Sequence, residues 1–165
     1  MPPNSNDYSA AVTLSVVDRL IDDRPDTSVE PIPSRSESVR QLKDALRRDL
    51  EWLLNTRRVA VPPDESLKEV NKSLYVFGLP DFSSYSLNSP RDQAKLIRFL
   101  HGTVKLFEPR LANVRIVPLD SVTSSTRTLR FRIEGLLLMD PAPEHVSFDT
   151  VLELTSGEYE VNNAG

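Results

Sequence analysis

The residues best placed to do chemistry are Glu108 and Arg110, an acid and a guanidinium separated by Pro109. A guanidinium is a planar fork of donors that fits both oxygens of a carboxylate. Proline lacks an N–H and disfavours helix at the residue before it, so a helical pattern that reaches Phe107 must stop at Glu108. The stop leaves the last carbonyls of that helix without partners. Arg110 is placed to reach those carbonyls, a carboxylate, or another protein. Glu108 suits its own helix poorly, because an acid at a C-terminus faces the negative end of the dipole. An unfavourable charge at a chain reversal points to a specific counterpart. That counterpart is either Arg110, as an internal clamp or a solvated turn, or a surface on another subunit. On residue types alone the internal reading is favoured, since most charge pairs are structural or inert.

Other chemistries find little support. A muramidase-like hydrolase would use Glu108 as general acid, and the many acids do not by count exclude a glycosidase-like carboxylate pair. Pairing with Arg110 would spoil Glu108 as a proton donor. His101 and His145 are the two histidines of a chain without cysteine, which makes no recognisable metal set; they read as surface or cap residues. The missing cysteine removes thiol catalysis, disulfides and thiolate zinc sites, and is compatible with a reducing compartment. There is no Gly-x-Ser-x-Gly elbow. Gly78 has no following Lys-Ser/Thr and makes no phosphate loop. Arg127, Arg130 and Arg132 form a basic strand face, but few aromatics interleave with it, so a solvated sheet face is preferred to a nucleic-acid platform. The net charge of -4 argues the same way. No catalytic residue, cofactor, metal or nucleic-acid partner is expected.

The whole chain bounds what can position these residues. Its 165 residues suit one compact domain with tails. At 39% hydrophobic and 27% charged it has the composition of an ordinary soluble protein. Thirteen prolines against five glycines mark linkers and turns. No apolar run reaches the roughly 18–20 residues that span a membrane, so no direct membrane insertion is expected. The start Met-Pro-Pro-Asn-Ser-Asn lacks a basic region followed by an apolar core, so a cytoplasmic protein is expected.

Residues 1–12 are polar and expected to be disordered. Thr13 to Ile21 form a short amphipathic segment, with Leu14, Val17, Leu20 and Ile21 on one helical face. Residues 22–33 read as a linker. Ser34-Arg35-Ser36-Glu37 has the form of a capping box and opens a long helix with Val39, Leu42, Leu46, Leu50 and Leu53 as its stripe. Trp52 and Leu54 widen that stripe, with Trp52 expected in the core for its large apolar area. Arg57 and Arg58 suit the last turn through the dipole. After Val61-Pro62-Pro63-Asp64, a short helix through Leu67, Val70, Leu74 and Val76 leads into Phe77-Gly78-Leu79-Pro80-Asp81-Phe82. There Gly78 is expected to supply a positive φ and Pro80 a turn.

Ser89 caps a second long helix with Pro90 at its first position and Asp92 in its first turn. Its predicted buried stripe is Ala94, Ile97, Leu100, Val104 and Phe107, with Leu96 and Phe99 at the margins and Gly102 at a close contact. Beyond the Glu-Pro-Arg corner the period changes to two. Strands are predicted at Val114–Val117, at Leu129–Glu134 and from Val146 to Leu154, with a loop over Ser121–Thr126. A turn is expected at Asp140-Pro141-Ala142-Pro143 and a hairpin turn at Ser156-Gly157, leading into Tyr159 and Val161. The fold class is α+β: amphipathic helices followed by an antiparallel β-meander packed on them. Expected boundaries are a tail at 1–33, one domain at 34–161 and a tail at 162–165.

Leu14-Ser15-Val16-Val17-Asp18-Arg19-Leu20, Phe77-Gly78-Leu79-Pro80-Asp81, Glu108-Pro109-Arg110-Leu111 and the closing alternating strands stand in the order seen in the TssE family. That family is the baseplate subunit of type VI secretion, related to a phage tail baseplate wedge protein. The resemblance covers Leu14 to Val161, and Glu-Pro-Arg is its most specific part. The chain departs from the family at Val76-Phe77, where Asn-Tyr often precedes the glycine. The resemblance implies a cytoplasmic structural protein in a baseplate assembled at the inner face of the cytoplasmic membrane. It implies wedge subunits and contractile sheath subunits as partners, the sheath meeting a sheet edge. The family is often labelled lysozyme-like, but no acid pair in this sequence stands out to carry that activity. The motif residues Leu14, Asp18, Arg19, Leu20, Phe77, Gly78, Leu79, Pro80, Asp81, Glu108, Pro109, Arg110 and Leu111 are then expected to bind partners. Glu108 and Arg110 would form a recognition corner that Pro109 holds in shape.

Overall fold

Caps, prolines and changes of period should set where elements begin. The computed structural model describes residues 14–21, 26, 34–86, 89–119, 128–153 and 157–164. By compactness the chain divides into two units, Met1–Leu46 and Arg47–Gly165.

The first unit holds α1, Val16–Leu20, and the opening turns of α2, Arg35–Asn55. Ser15 caps α1 by accepting the Asp18 N–H at 3.1 Å. Val16, Val17 and Leu20 stay exposed, and α1 buries no residue. A five-residue helix cannot hold itself by propensity. The capping box opens α2 as predicted, with Ser34 Oγ accepting the Glu37 N–H at 3.3 Å. Leu42, Ala45 and Leu46 of α2 are buried.

The second unit holds the rest of α2, then α3, Pro90–Phe107, and four strands. These are β1, Leu111–Pro118; β2, Thr128–Leu137; β3, Glu144–Glu153; and β4, Glu158–Asn163. They form one antiparallel sheet in the order β1-β2-β3-β4, so every connection is to a neighbour. The expected α+β class is therefore what the chain adopts. Leu129, Phe131 and Ile133 of β2, Val146, Phe148, Thr150 and Leu152 of β3, and Tyr159 and Val161 of β4 point inward, as their alternation requires. Leu50, Leu53 and Leu54 of α2 and Leu96, Leu100 and Val104 of α3 are buried in the same unit. The other sheet face carries Arg115, Arg130, Arg132 and Asp149. β1 bulges between Ala112 and Arg115, where Asn113 takes φ 54°, a conformation asparagine tolerates better than most residues.

Several expectations need correction. Trp52 is 60% exposed and lies beneath the Arg48 guanidinium, 5.3 Å from the ring centroid. Its position, two residues from both Leu50 and Leu54, turns it about 200° from those buried leucines. Arg57 and Arg58 lie outside α2, which ends at Asn55; Arg57 pairs instead with Leu79 in a parallel bridge. The expected short helix is two separate 3-10 turns, Val70–Lys72 and Leu74–Val76, in which Leu74 is exposed. On α3 the buried line is Leu96, Leu100, Thr103 and Val104; Ala94 is exposed, and Ile97 and Phe107 are half-buried. Leu96 thus belongs to the stripe, because steps of four and seven or eight from it reach Leu100, Thr103 and Val104. Gly102 faces open space rather than a close contact. β1 starts earlier than Val114, β2 runs past Glu134 to Leu137, and β4 continues past Val161 to Asn163. The expected tail and linker at 1–12 and 22–33, the loop at Ser121–Thr126, Arg127, Leu154 and Ser156 lie outside the described residues, apart from Asp26.

Candidate functional site

The corner between α3 and β1 is built as its proline dictates. The Glu108 N–H donates to the Val104 carbonyl at 2.8 Å, closing α3, and the Leu111 N–H donates back to the Glu108 carbonyl at 3.1 Å. The Glu108 side chain folds inward, leaving the residue 4% exposed. A buried carboxylate needs partners, and Arg110 supplies them. Arg110 Nε donates to Glu108 Oε1 at 2.6 Å and its terminal nitrogen to Oε2 at 2.5 Å. The Arg110 backbone N–H adds a third bond to Oε1 at 3.3 Å.

The same guanidinium donates to Asp49 Oδ2 of α2 at 2.6 Å. One arginine therefore joins an acid two residues before it to an acid 61 residues before it. The hydrogen bond to Glu108 pushes the Arg110 guanidinium well above its ordinary value; burial opposes this and Asp49 adds to it. The Arg110 carbonyl accepts the Leu138 N–H at 2.8 Å, which ties the corner to the end of β2. Both Glu108 oxygens are occupied as acceptors, which anchors the corner.

The Gly-Leu-Pro-Asp turn sits beside this corner. Phe77, just before it, packs edge-on against Phe107, the last residue of α3, with centroids 5.1 Å apart. Gly78 takes φ 92°, as expected, and a Cβ there would lie 2.2 Å from the Thr56 carbonyl oxygen. That closeness lets the Leu79 N–H donate to the Thr56 carbonyl at 2.8 Å, while the Arg58 N–H donates to the Leu79 carbonyl at 2.9 Å. Asp81 is exposed; a hydrogen bond from the Ser83 N–H holds its carboxyl below the usual range, with Arg57 a minor contributor.

Two of the three motifs singled out in the sequence therefore meet at the end of α3. Within them Glu108, Leu111, Gly78 and Leu79 are buried, Phe77, Pro80 and Arg110 are half-buried, and Pro109 and Asp81 are exposed. The buried members fix the backbone; the exposed ones face solvent. Leu14, Asp18, Arg19 and Leu20 belong to α1 and its N-terminal flank in the first unit.

Sequence reasoning missed Asp49, Asn55 and the pairing of Arg132 with Asp149. Asp49 looks like any polar residue on the outer side of α2. Asn55, the last residue of α2, is engaged by β4: its Nδ2 donates to the Tyr159 carbonyl and its Oδ1 accepts the Tyr159 N–H, both at 2.8 Å. On the outer sheet face Arg132 grips Asp149 through Nε at 2.6 Å and a terminal nitrogen at 3.1 Å. The strict alternation of both strands put Arg132 and Asp149 on the same face, but their register was not readable.

His101, expected as a surface or cap residue, is half-buried within α3 instead, with Nε2 3.2 Å from the Val114 carbonyl of β1. Among the described residues no group of three or more His, Cys, Asp or Glu could hold a metal ion. Among them too, no helix is long and apolar enough to cross a membrane. Comparison with curated proteins and with solved structures found no match. The family model of the baseplate wedge protein gp25 matches residues 40–142, more than half of the chain and a span that includes Asp49, the Gly-Leu-Pro-Asp turn, the Glu-Pro-Arg corner and the first two strands. With the helix-to-sheet corner, the antiparallel meander and this match together, the chain belongs to the baseplate wedge protein gp25 family.

Proposed function

We propose that this protein is a structural, non-enzymatic baseplate subunit of a type VI secretion machine, joining wedge subunits and docking the contractile sheath. Membership of a structural baseplate family supports the coarse role. The observation that carries the finer reading is the corner itself. A proline-set turn and a bidentate clamp hold Pro109 and the outer side of Arg110 in one ordered corner, with Phe77, at the start of the glycine turn, packed on Phe107 beside it. A surface ordered in advance loses little entropy on docking. The resemblance carries the same role to Leu14, Asp18, Arg19 and Leu20, whose helix leaves Val16, Val17 and Leu20 exposed. The sheath meets the sheet by strand addition at an edge, where backbone hydrogen bonds give affinity and side chains give register. The assembly works in the cytoplasm, at the inner face of the membrane.

Co-purification of the intact chain with candidate wedge and sheath subunits tests the reading. Arg110 variants should lose wedge assembly beyond what their change in stability accounts for; full accounting by stability would leave the corner as scaffold alone. Purified protein should not clear a peptidoglycan suspension. Clearance that disappears in Glu108→Gln would replace this reading with the muramidase one.

A further inference from the structure

The two edges of the sheet are not equivalent. Ladder parity says which backbone groups point outward. On β4 the Ala164 N–H donates to the Ser147 carbonyl, so Asn162, Glu160 and Glu158 bond inward to β3, while Tyr159, Val161 and, at the strand's end, Asn163 turn outward. Those outward groups are largely occupied. Asn55 takes both the N–H and the carbonyl of Tyr159, as a neighbouring strand would. Its Nδ2 also donates to the Glu51 carbonyl at 2.9 Å, which fixes the amide in this orientation. Arg47 donates to the Val161 carbonyl at 3.3 Å, so of the four outward groups of Tyr159 and Val161 three are bonded and the Val161 N–H has no partner among the described residues.

On β1 the Leu119 N–H donates to the Arg130 carbonyl, so Val117 and Arg115 bond inward and Ile116 and Pro118 turn outward. The Val114 carbonyl, beside the bulge, lies 3.2 Å from His101 Nε2 of α3, so the open stretch of this edge is shorter than β1. Among the described residues nothing bonds the Ile116 N–H, the Ile116 carbonyl or the Pro118 carbonyl. The edges also differ in charge. β4 carries Glu158 and Glu160; β1 carries Arg115 and no acid, with Val117 exposed. An open β1 and an uncapped β4 would be complementary between copies, and head-to-tail pairing of that kind does not close into a ring unless its rotation does.

We infer that Asn55, assisted by Arg47, closes the β4 edge, so that strand addition is confined to β1 and β1 of one copy does not pair with β4 of the next. The occupant of β1 is an extended segment of a partner chain. It pairs with Ile116, sets apolar side chains against Val117, and carries an acid toward Arg115. This rests on the edge-docking reading above, but its first test does not need the sheath.

Sedimentation velocity of the full chain over a range of concentrations reads the guard directly. Wild type should sediment as the 18.6 kDa monomer. Asn55→Ala, and Asn55→Asp, which keeps an acceptor for the Tyr159 N–H but loses the donor to its carbonyl, should associate as concentration rises. Adding Ile116→Pro should return both to monomer, because the Ile116 N–H points outward and its loss removes no bond to β2. Circular dichroism on each variant checks the fold. A self-associating wild type, Asn55 variants that stay monomeric while folded, association that survives Ile116→Pro, or loss of fold in both Asn55 variants would each overturn the guard. Ile116→Pro alone should also abolish sheath recruitment. Normal recruitment, with the sedimentation results as expected, would sink sheath docking at β1 and leave the guard standing.

Discussion

Arg110 and Arg132 each grip a carboxylate with Nε and a terminal nitrogen, one in the corner and one on the open face of the sheet. Their local chemistry is the same. What differs is the water around it: the Glu108 side chain is 6% exposed and that of Asp149 is 37% exposed. Arg110 also reaches a second acid on another element, whereas Arg132 ties two strands that ten ladder pairs already join. A carboxylate that cannot return to water depends on its arginine; one that can return loses little. The comparison teaches that bidentate geometry alone does not mark a residue as structural. Burial of the acceptor does.

The sharpest way to break this comparison is Arg110→Ala. Stranding a buried carboxylate should cost about 3–5 kcal/mol, a fall of about 6–20 °C in Tm for a chain of this size. Arg110→Lys should fall nearly as far, because an ammonium cannot fork onto both oxygens of Glu108 and still reach Asp49. Thermal unfolding followed by circular dichroism decides it. Arg110 variants that melt like wild type would show the corner to be no anchor and would erase the contrast with Arg132. A double-mutant cycle with Asp49→Ala would then apportion the second acid, with Asp49→Ala expected to cost less alone, since its carboxylate is partly solvated.

Gly78→Ala tests whether the corner's neighbour is held as firmly as the corner. The positive φ alone should cost ~1–3 kcal/mol, and the Thr56 carbonyl must also move from a Cβ placed 2.2 Å away. A melting temperature within a degree or so of wild type would mean the turn relaxes freely and does not buttress Phe107. Trp52→Ala should have a smaller effect, because the ring is mostly in water and its removal opens no cavity.

These residues also show how much a sequence discloses. Helix starts at Ser34 and Ser89, the stop at Glu108, the positive φ at Gly78 and the inward faces of β2 and β3 were legible, because each depends on neighbours within four residues. The acid–arginine pair was legible as a pair, and its internal arrangement was the simpler reading. The third member, Asp49, was not, since its partner lies 61 residues away and its own neighbourhood is ordinary. Asn55 was hidden for the same reason: its function depends on a strand more than a hundred positions later. Trp52 failed differently. Its size argued for the core, and the helical phase that turns it outward won.

The smallest expected effect belongs to the exposed pair, and pH gives it a sign. The hydrogen bond from Arg132 holds the Asp149 carboxyl below its ordinary value of 3.8, against a small opposing contribution from burial. A folded value below the unfolded one means stability that is present above pH 3.8 and lost as pH falls through the folded value. Arg132→Ala should therefore melt slightly below wild type at neutral pH. The difference should be several-fold smaller than for Arg110→Ala, because solvent and salt screen an exposed pair. It should shrink as pH drops below 3.8 and vanish below the lowered folded value, where Asp149 is protonated in both proteins. It should also shrink in 1 M salt, which the buried corner would resist. Melting curves of wild type and Arg132→Ala from neutral pH down to about pH 2.5 test this. A difference that stays constant across that range would assign the effect of Arg132 to packing of its side chain on the sheet rather than to its charge.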